Sequence, residues 1–227
     1  MNDSIAMPER RRILRRIAVG ATGLASYGLF GISGAFAEEL FRTPMQSAGP
    51  FYPRTIPLDT DNDLIVVGDS ITPAIGQITH LRGRILNVSG EPIRDALVEI
   101  WQVDNNGIYQ HTGSERRSAR ADKNFQGFGR FETGSKGAYY FRTIKPVSYP
   151  GRTAHIHFAV KLKGQDRWTT QCYVRGESQN EHDWLFNRIK DPAARDSILV
   201  NFAPMENSLI GELEARFDIV LGFTPTA

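Results

Sequence analysis

The chain has 227 residues, of which 41% are hydrophobic and 23% are charged, close to the averages of soluble globular proteins. These values predict one domain, or one with a small second domain, and exclude a wholly disordered chain, a coiled coil and a polytopic membrane protein. The formal net charge is only +2. The net positive charge lies in the N-terminal segment and the rest of the chain is nearly neutral, so we expect no nucleic-acid partner.

The first predicted segment is an export signal over residues 1–37. Paired arginines between Arg10 and Arg16 precede the charge-free run Ile17–Ala37, which ends in Ala35-Phe36-Ala37. A basic region, an apolar stretch and a small-x-small cleavage site are typical of a secretory signal, and the paired arginines resemble a twin-arginine signal. We therefore expect a periplasmic or extracellular protein, free of the membrane after cleavage. The alternative is an uncleaved signal that anchors the protein in the membrane.

An irregular arm is predicted over residues 38–78, because Thr43–Pro53 holds three prolines and a glycine, which neither a helix nor a central strand tolerates. Within the arm, the apolar run Leu64–Val67 predicts a short strand. A β-rich catalytic domain is predicted over residues 79–227, where short alternating runs are separated by Gly, Pro and Asn turns. The runs that predict strands are His80–Leu86, Ala96–Val103, Gly137–Ile144, His155–Leu162, Trp168–Val174 and Arg216–Leu221.

The predicted fold is therefore all-β, a β-sandwich of mainly antiparallel strands. Helical signals are confined to residues 181–213, so only a few short helices are expected, near the C-terminal third. The clearest signal is Asp191 directly before Pro192, an N-cap followed by proline at the first helical position.

The sequence His155-Ile156-His157 is the first motif with chemical content. Residues i and i+2 of a strand share a face, so the two imidazoles are expected side by side, close enough to bind one metal ion. Tyr109 and Tyr149 lie at the ends of neighbouring elements, where site residues are often displayed. Taken alone, these residues leave open a structural role for the histidines and simple packing for the tyrosines.

Further motifs extend this pattern along nearly the whole chain. They are Thr43–Tyr52, Leu81–Ile85, Gly90–Ile93, Asp95–Gln102, Gly107–Tyr109, Gly137–Pro146, Tyr149–Pro150, Arg152–Phe158 and Arg216–Leu221. In this order they resemble the signature of intradiol ring-cleavage dioxygenases, and among these the subunits of protocatechuate 3,4-dioxygenase. The resemblance implies the intradiol dioxygenase-like β-sandwich fold.

The resemblance also implies one non-haem Fe(III) per chain, held by Tyr109, Tyr149, His155 and His157. Ferric iron is a hard, highly charged ion that prefers anionic oxygen donors, such as phenolates. By the same resemblance, the chain is expected to cleave a catechol with O2 and insert both oxygen atoms, giving a cis,cis-muconate-type product. Zinc or copper would also suit the two histidines, but neither suits two tyrosine ligands as well as Fe(III) does.

The resemblance also implies catalytic roles for three residues, of which only Tyr149 is a metal ligand as well. Tyr149 matches the ligand that leaves the iron and helps to accept a proton. Arg152 matches an arginine that stabilises developing negative charge, and Gln171 matches a glutamine that lines the same pocket.

The sequence departs from the family pattern between Tyr149 and His155. Only five residues separate them, and Thr153 stands where the family usually has proline. This segment is expected to form part of the pocket wall, and its shortness predicts a more open pocket. The sequence therefore does not decide between protocatechuate, catechol and larger substituted catechols as the substrate. A homo-oligomer is also left open. The competing hypothesis is a non-catalytic exported binding module, because Gly90–Ile93 and the strand that follows also resemble carboxypeptidase-regulatory-like sandwich domains.

Overall fold

The computed structural model describes residues 40–110 and 120–222; the predicted export signal over residues 1–37 lies outside these ranges. The described residues form ten strands: β1 Ile78–Asn87, β2 Leu97–Trp101, β3 Phe128–Glu132, β4 Ala138–Ile144, β5 His155–Lys161, β6 Trp168–Val174, β7 Leu199–Val200, β8 Phe202–Pro204, β9 Leu213–Arg216 and β10 Ile219–Leu221. Helical structure consists of two 3₁₀ turns, Ser178–His182 and Phe186–Arg188, and the helix α1, Pro192–Ser197. None of these helices is long and apolar enough to cross a membrane.

The strands form two five-stranded sheets. In the first sheet, β1 pairs antiparallel with β4 on one side and parallel with β9 and β10 on the other, and β8 pairs with β9. The second sheet has the order β3-β2-β5-β6-β7 and is antiparallel except for its last pair. The prediction of a β-sandwich of mainly antiparallel strands, with a few short helices near the C-terminal third, is confirmed.

Alternation along β2 explains how the second sheet carries both the core and a covered outer face. Val98 and Ile100 point into the sandwich and are fully buried, whereas Glu99 and Trp101 point to the opposite face. There Trp101 belongs to a second apolar cluster. Residues 40–77, which contain no strand or helix, supply part of this cluster: Ala48, Phe51, Tyr52 and Ile56. The outer face of the second sheet is therefore buried and can hold a site sheltered from water.

The helix prediction at Asp191 is confirmed, because its side chain accepts hydrogen bonds from the N–H groups of Ala193 and Ala194. The predicted strand at Leu64–Val67 is wrong. The Asp63 side chain accepts a hydrogen bond from the N–H of Ile65, and this local turn bends the chain. Leu64 and Ile65 still enter the core, so burial and not a strand explains the apolar run.

Two differences in the strands have local causes. The predicted strand Arg216–Leu221 is divided into β9 and β10, which pair with successive halves of β1. Between them the Phe217 carbonyl approaches Gly83 so closely that a Cβ there would clash with it. The sequence does not predict strand β3, because glycine is a weak strand former; Gly129 is needed because a Cβ at that position would meet Leu64.

Candidate active site

The two histidines lie side by side on β5, on the outer face of the second sheet. His157 is opposite Trp101 on β2 and Gln171 on β6. The Nε2 atoms of His155 and His157 are 3.2 Å apart, and both rings are almost fully buried. The predicted arrangement of the His-x-His pair is confirmed.

The two tyrosines reach the same place from separate loops. Tyr109 follows a turn in which the Asp104 carboxylate accepts hydrogen bonds from the N–H groups of Asn106 and Ile108. Its hydroxyl oxygen lies 3.0 Å from Nε2 of His157. The Tyr149 ring lies 5.7 Å from the Tyr109 ring and 5.6 Å from the His155 ring, between centroids. The structure thus brings all four predicted ligands together.

Both histidines are neutral at ordinary pH. Burial, together with the positive charge of Arg152, lowers the pKa of His155 to about 3. Burial also lowers the pKa of His157 well below its ordinary value, with smaller contributions from His155 and Arg152. Nδ1 of His155 is 2.6 Å from the Thr153 carbonyl oxygen, and because a carbonyl only accepts, the proton lies on Nδ1. Nε2 of His155 therefore presents a free lone pair to the cluster.

Tyr109 is a protonated phenol in the chain alone. Burial raises its pKa well above the ordinary value, and the charge and hydrogen bond of Tyr149 raise it further. A free phenolate would be costly in this place. The positive charge of Arg152 acts in the opposite direction but does not offset burial, and a cation bound directly to the oxygen would favour the phenolate.

A tight turn begins the short connection between Tyr149 and His155. The N–H of Arg152 donates to the Tyr149 carbonyl at 2.9 Å, and the N–H of Tyr149 donates to the Arg152 carbonyl at 3.2 Å. Pro150 occupies the second position, and Gly151, with φ of 84°, occupies the third. This is the pattern of a type II turn. The turn sets Tyr149 and Arg152 directly opposite each other.

Arg152 and Gln171, the other predicted catalytic residues, contact one another. Nη2 of Arg152 donates to Oε1 of Gln171 at 2.6 Å, and Gln171 donates from Nε2 to the Ser47 carbonyl of the arm at 3.1 Å. Nε of Arg152 donates to Oδ2 of Asp183 at 2.9 Å. Nη2 of Arg152 also donates to the Tyr173 hydroxyl at 3.4 Å, so three side chains hold the guanidinium beside the histidine pair.

The sequence does not predict a role for Asp183, although its hydrogen bonds hold Arg152 and the neighbouring backbone in place. Its buried carboxylate accepts hydrogen bonds from the N–H groups of Thr153, Leu185 and Phe186 at 2.9–3.0 Å, in addition to the bond from Arg152. The Thr153 bond needs an N–H that proline lacks, which gives the departure from the family pattern a structural role. The one local indication in the sequence is that an aspartate often accepts a hydrogen bond from the backbone N–H two residues later, as Asp183 does from Leu185.

The arm forms the wall on the other side. The Phe51 ring stacks on Tyr109 with centroids 4.4 Å apart and an interplanar angle of 17°. A Cβ on Gly49 would lie 3.7 Å from Cε1 of His157. The arm is bonded to β6, since Gln46 donates its N–H to the Thr169 carbonyl at 2.9 Å and accepts the Thr169 hydroxyl at 2.5 Å. These contacts place the arm in direct contact with the site.

The donor atoms fit a single metal ion. Donors bound at about 2.1 Å to one ion lie about 3 Å apart when the angle between them is near 90°. Nε2 of His157 lies 3.2 Å from Nε2 of His155 and 3.0 Å from the Tyr109 hydroxyl oxygen. Nδ1 of His157 is buried and has no hydrogen-bond partner among the described residues. Within residues 40–110 and 120–222, no group of three or more His, Cys, Asp or Glu side chains could hold a metal. The Tyr109 hydroxyl is an oxygen donor directly beside the histidine pair.

The chain is similar to known dioxygenases. A family profile described as Dioxygenase matches residues 47–222. The chain is 35% identical over 171 residues to the protocatechuate 3,4-dioxygenase beta chain of Burkholderia cepacia, covering 71% of each protein. It is 30% identical to the 6-chlorohydroxyquinol 1,2-dioxygenase of Cupriavidus pinatubonensis, covering 69% of this chain and 58% of that one.

A solved structure shares the fold as well as the sequence. It is the dioxygenase domain of a dioxygenase carbohydrate-binding protein fusion from Streptomyces sp. SirexAA-E, with a TM-score of 0.61 and 32% identity, covering 81% of this chain and 100% of that one. The profile match and the first relative each extend over most of the described residues. The chain therefore belongs to the intradiol dioxygenase family of oxidoreductases.

Proposed function

We propose that the chain binds one Fe(III) through Tyr109, Tyr149, His155 and His157 and uses it to cleave a catechol with O2. The observation that carries this proposal is the convergence of two neutral imidazoles and two phenols in a buried pocket. Two phenolates would offset much of the ion's charge and favour the ferric state. When bound, the iron would be chelated by the two oxygen atoms of a deprotonated catechol, which would make the ring reactive toward O2.

The chain's own residues then have defined roles. Tyr149, half-buried beside the turn, would be the ligand that leaves the iron and accepts a proton from the catechol. Arg152 holds a fixed positive charge where negative charge develops on the substrate, because Asp183 and Gln171 keep its guanidinium in place. Phe51 covers Tyr109 and excludes water from that side.

We propose a substituted catechol as the substrate and a cis,cis-muconate-type acid containing both oxygen atoms of O2 as the product. The relatives are named for protocatechuate and for chlorohydroxyquinol, which are ring-substituted dihydroxybenzenes. The two-residue turn Pro150-Gly151 places no side chain beyond proline at this wall, and a Cβ on Gly151 would have no atom within 4 Å. This open wall favours catechols with a large substituent on the ring.

We also propose that the protein is exported by its twin-arginine-type signal and acts in the periplasm or outside the cell. The support is the arginine-rich start followed by Ala35-Phe36-Ala37. Fractionation of cells producing the full chain, combined with N-terminal sequencing, tests this. A protein beginning at residue 38 in the periplasm agrees with the proposal, whereas a full-length protein in the membrane supports the anchored alternative.

Turnover under ¹⁸O₂ tests the activity itself. The full chain loaded with ferric iron is incubated separately with catechol, protocatechuate and a catechol with a bulky para substituent. The masses of the products are measured by mass spectrometry. Cleavage of the bond between the two hydroxyl-bearing carbons is expected, with one labelled oxygen atom in each new carboxyl group and no labelled product from His157→Ala. Wild-type turnover by His157→Ala would exclude the proposed ligand set. A colourless protein that binds no iron and turns over none of the three would instead support the non-catalytic binding module.

A further inference from the structure

A buried carboxylate lies under the arm, outside the proposed ligand set. Glu99 is fully buried on the outer face of β2. Its Oε1 accepts hydrogen bonds from Nε of Arg130 and Nζ of Lys161, each at 2.9 Å. Its Oε2 accepts the hydroxyl of Tyr52 at 2.9 Å. Two cations and one hydroxyl thus satisfy a group that would otherwise be costly to bury.

Tyr52 is also held through the rest of its side chain. Lys161 donates to its hydroxyl at 3.2 Å, and the Arg167 guanidinium lies 4.0 Å from the centroid of its ring. The ring meets Trp101 edge to face with centroids 5.1 Å apart. Tyr52 is therefore held against the second sheet through both its hydroxyl and its ring.

One aromatic residue lies between Tyr52 and each of two proposed ligands, His157 and Tyr109. Trp101 stacks on His157, with centroids 4.8 Å apart and an interplanar angle of 6°. Phe51, the chain neighbour of Tyr52, stacks on Tyr109. His157 and Tyr109 therefore each have an aromatic ring packed behind them, and Tyr52 restrains both rings. Such restraint matters most for His157, whose Nδ1 has no hydrogen-bond partner in the described part of the chain.

We propose that Tyr52 is a positioning residue for the site. The hydrogen bond from its hydroxyl to Glu99, here called the clasp, fixes Phe51 against Tyr109 and Trp101 against His157. The inference rests on the proposed function in taking Tyr109 and His157 as iron ligands. Residues that orient ligands from outside typically change metal affinity by about 10–100-fold when they are altered.

Tyr52→Phe tests the clasp with little risk to folding, because Arg130 and Lys161 still pair with Glu99 and the ring on Trp101 is kept. The matched control is Tyr140→Phe, which removes a hydroxyl bonded to His80 Nδ1 at 2.6 Å on the other sheet. The first measurement is made on the full chain without iron, by NMR with ¹³C-labelled tyrosine. Tyr109 signals, assigned with Tyr109→Phe, are expected upfield because of the stacked Phe51 ring.

In Tyr52→Phe these signals are expected to move downfield, and ferric iron is expected to bind about 10-fold more weakly with an altered tyrosinate absorption band. In Tyr140→Phe neither should change. Unmoved Tyr109 signals would show that the hydroxyl does not hold Phe51 and would overturn the proposal. Moved signals with unchanged iron affinity and absorption would overturn it too, since the clasp would then not position ligands. A wild-type chain that binds no ferric iron would refute the proposed function separately, while the NMR result would still decide whether the clasp exists.

Discussion

The Nε2 atoms of His155 and His157 face each other at 3.2 Å. The Thr153 carbonyl fixes the proton of His155 on Nδ1, so a lone pair of that ring points toward the neighbouring imidazole. Burial keeps both rings neutral. A cation shared between the two nitrogen atoms and the nearby phenol oxygen, as we propose, would explain why polar atoms of three side chains meet in a buried pocket.

The two buried tyrosines beside the histidines are expected to respond differently to loss of the hydroxyl. Tyr109→Phe should remove a ligand, weaken ferric binding and abolish part of the visible absorption. Tyr173→Phe should keep the absorption, because the Tyr173 hydroxyl already bonds Gln46 and Gln171. Iron titration followed by absorption spectroscopy compares the two. Equal loss of absorption in both variants would contradict the assignment of Tyr109.

The turn between Tyr149 and Arg152 is predicted to matter for catalysis beyond its effect on stability. Gly151→Ala should lower the free energy of unfolding by about 1–2 kcal/mol, because an L residue is strained at positive φ. Gly164→Ala is the matched control, since Gly164 also has positive φ, at 74°, and a Cβ added there would meet no atom within 4 Å. We expect similar losses of stability, measured by urea unfolding. Only Gly151→Ala should also reduce kcat on a catechol, and equal kcat losses would contradict this.

Arg152 is predicted to act on the reaction and not on iron binding. Arg152→Lys keeps the positive charge but loses the geometry that bonds Asp183 and Gln171 together. We expect kcat to fall about 100-fold, with iron content and the absorption of the resting protein unchanged. Arg175→Lys, at an exposed ion pair with Asp196, should leave kcat unaltered. Loss of iron from Arg152→Lys would place the residue in the metal site instead.

Asp183 is predicted to contribute to stability in a pH-dependent way. Burial acts to raise its pKa, but the N–H groups of Phe186 and Thr153 and the Arg152 guanidinium together hold the pKa below its ordinary value. A depressed pKa gives stability that is present above the unfolded-state pKa and is lost as pH falls through the folded-state pKa, beginning below about pH 5.

Asp183→Asn should therefore lower the free energy of unfolding by about 3 kcal/mol at pH 7. As the pH falls, the free energy of unfolding of this variant should decrease less steeply than that of the wild type. Urea unfolding between pH 7 and pH 3 checks this, with the exposed Asp69→Asn as the control. A variant that parallels the wild type in acid would show that Asp183 does not supply the pH-dependent stability.

The sequence predicted those parts of the site that follow from local geometry. The i, i+2 spacing of His155 and His157 on a strand determines their shared face, and Pro150-Gly151 signals a tight turn. Contacts between distant segments could not be predicted in this way. The Asp183–Arg152 pair joins residues separated by 31 positions, and the stacking of Phe51 on Tyr109 depends on the path of an arm without regular structure. The same limit explains Leu64–Val67, whose apolar run encodes burial but not a strand.

The visible absorption spectrum of the iron-loaded full chain, recorded before and after anaerobic addition of a catechol, tests the central claim most directly. A ferric site with tyrosinate ligands predicts a broad charge-transfer band that shifts when the catechol binds. A chain that stays colourless after loading with ferric iron, or a band that a catechol leaves unchanged, would contradict the proposed iron site and its substrate class.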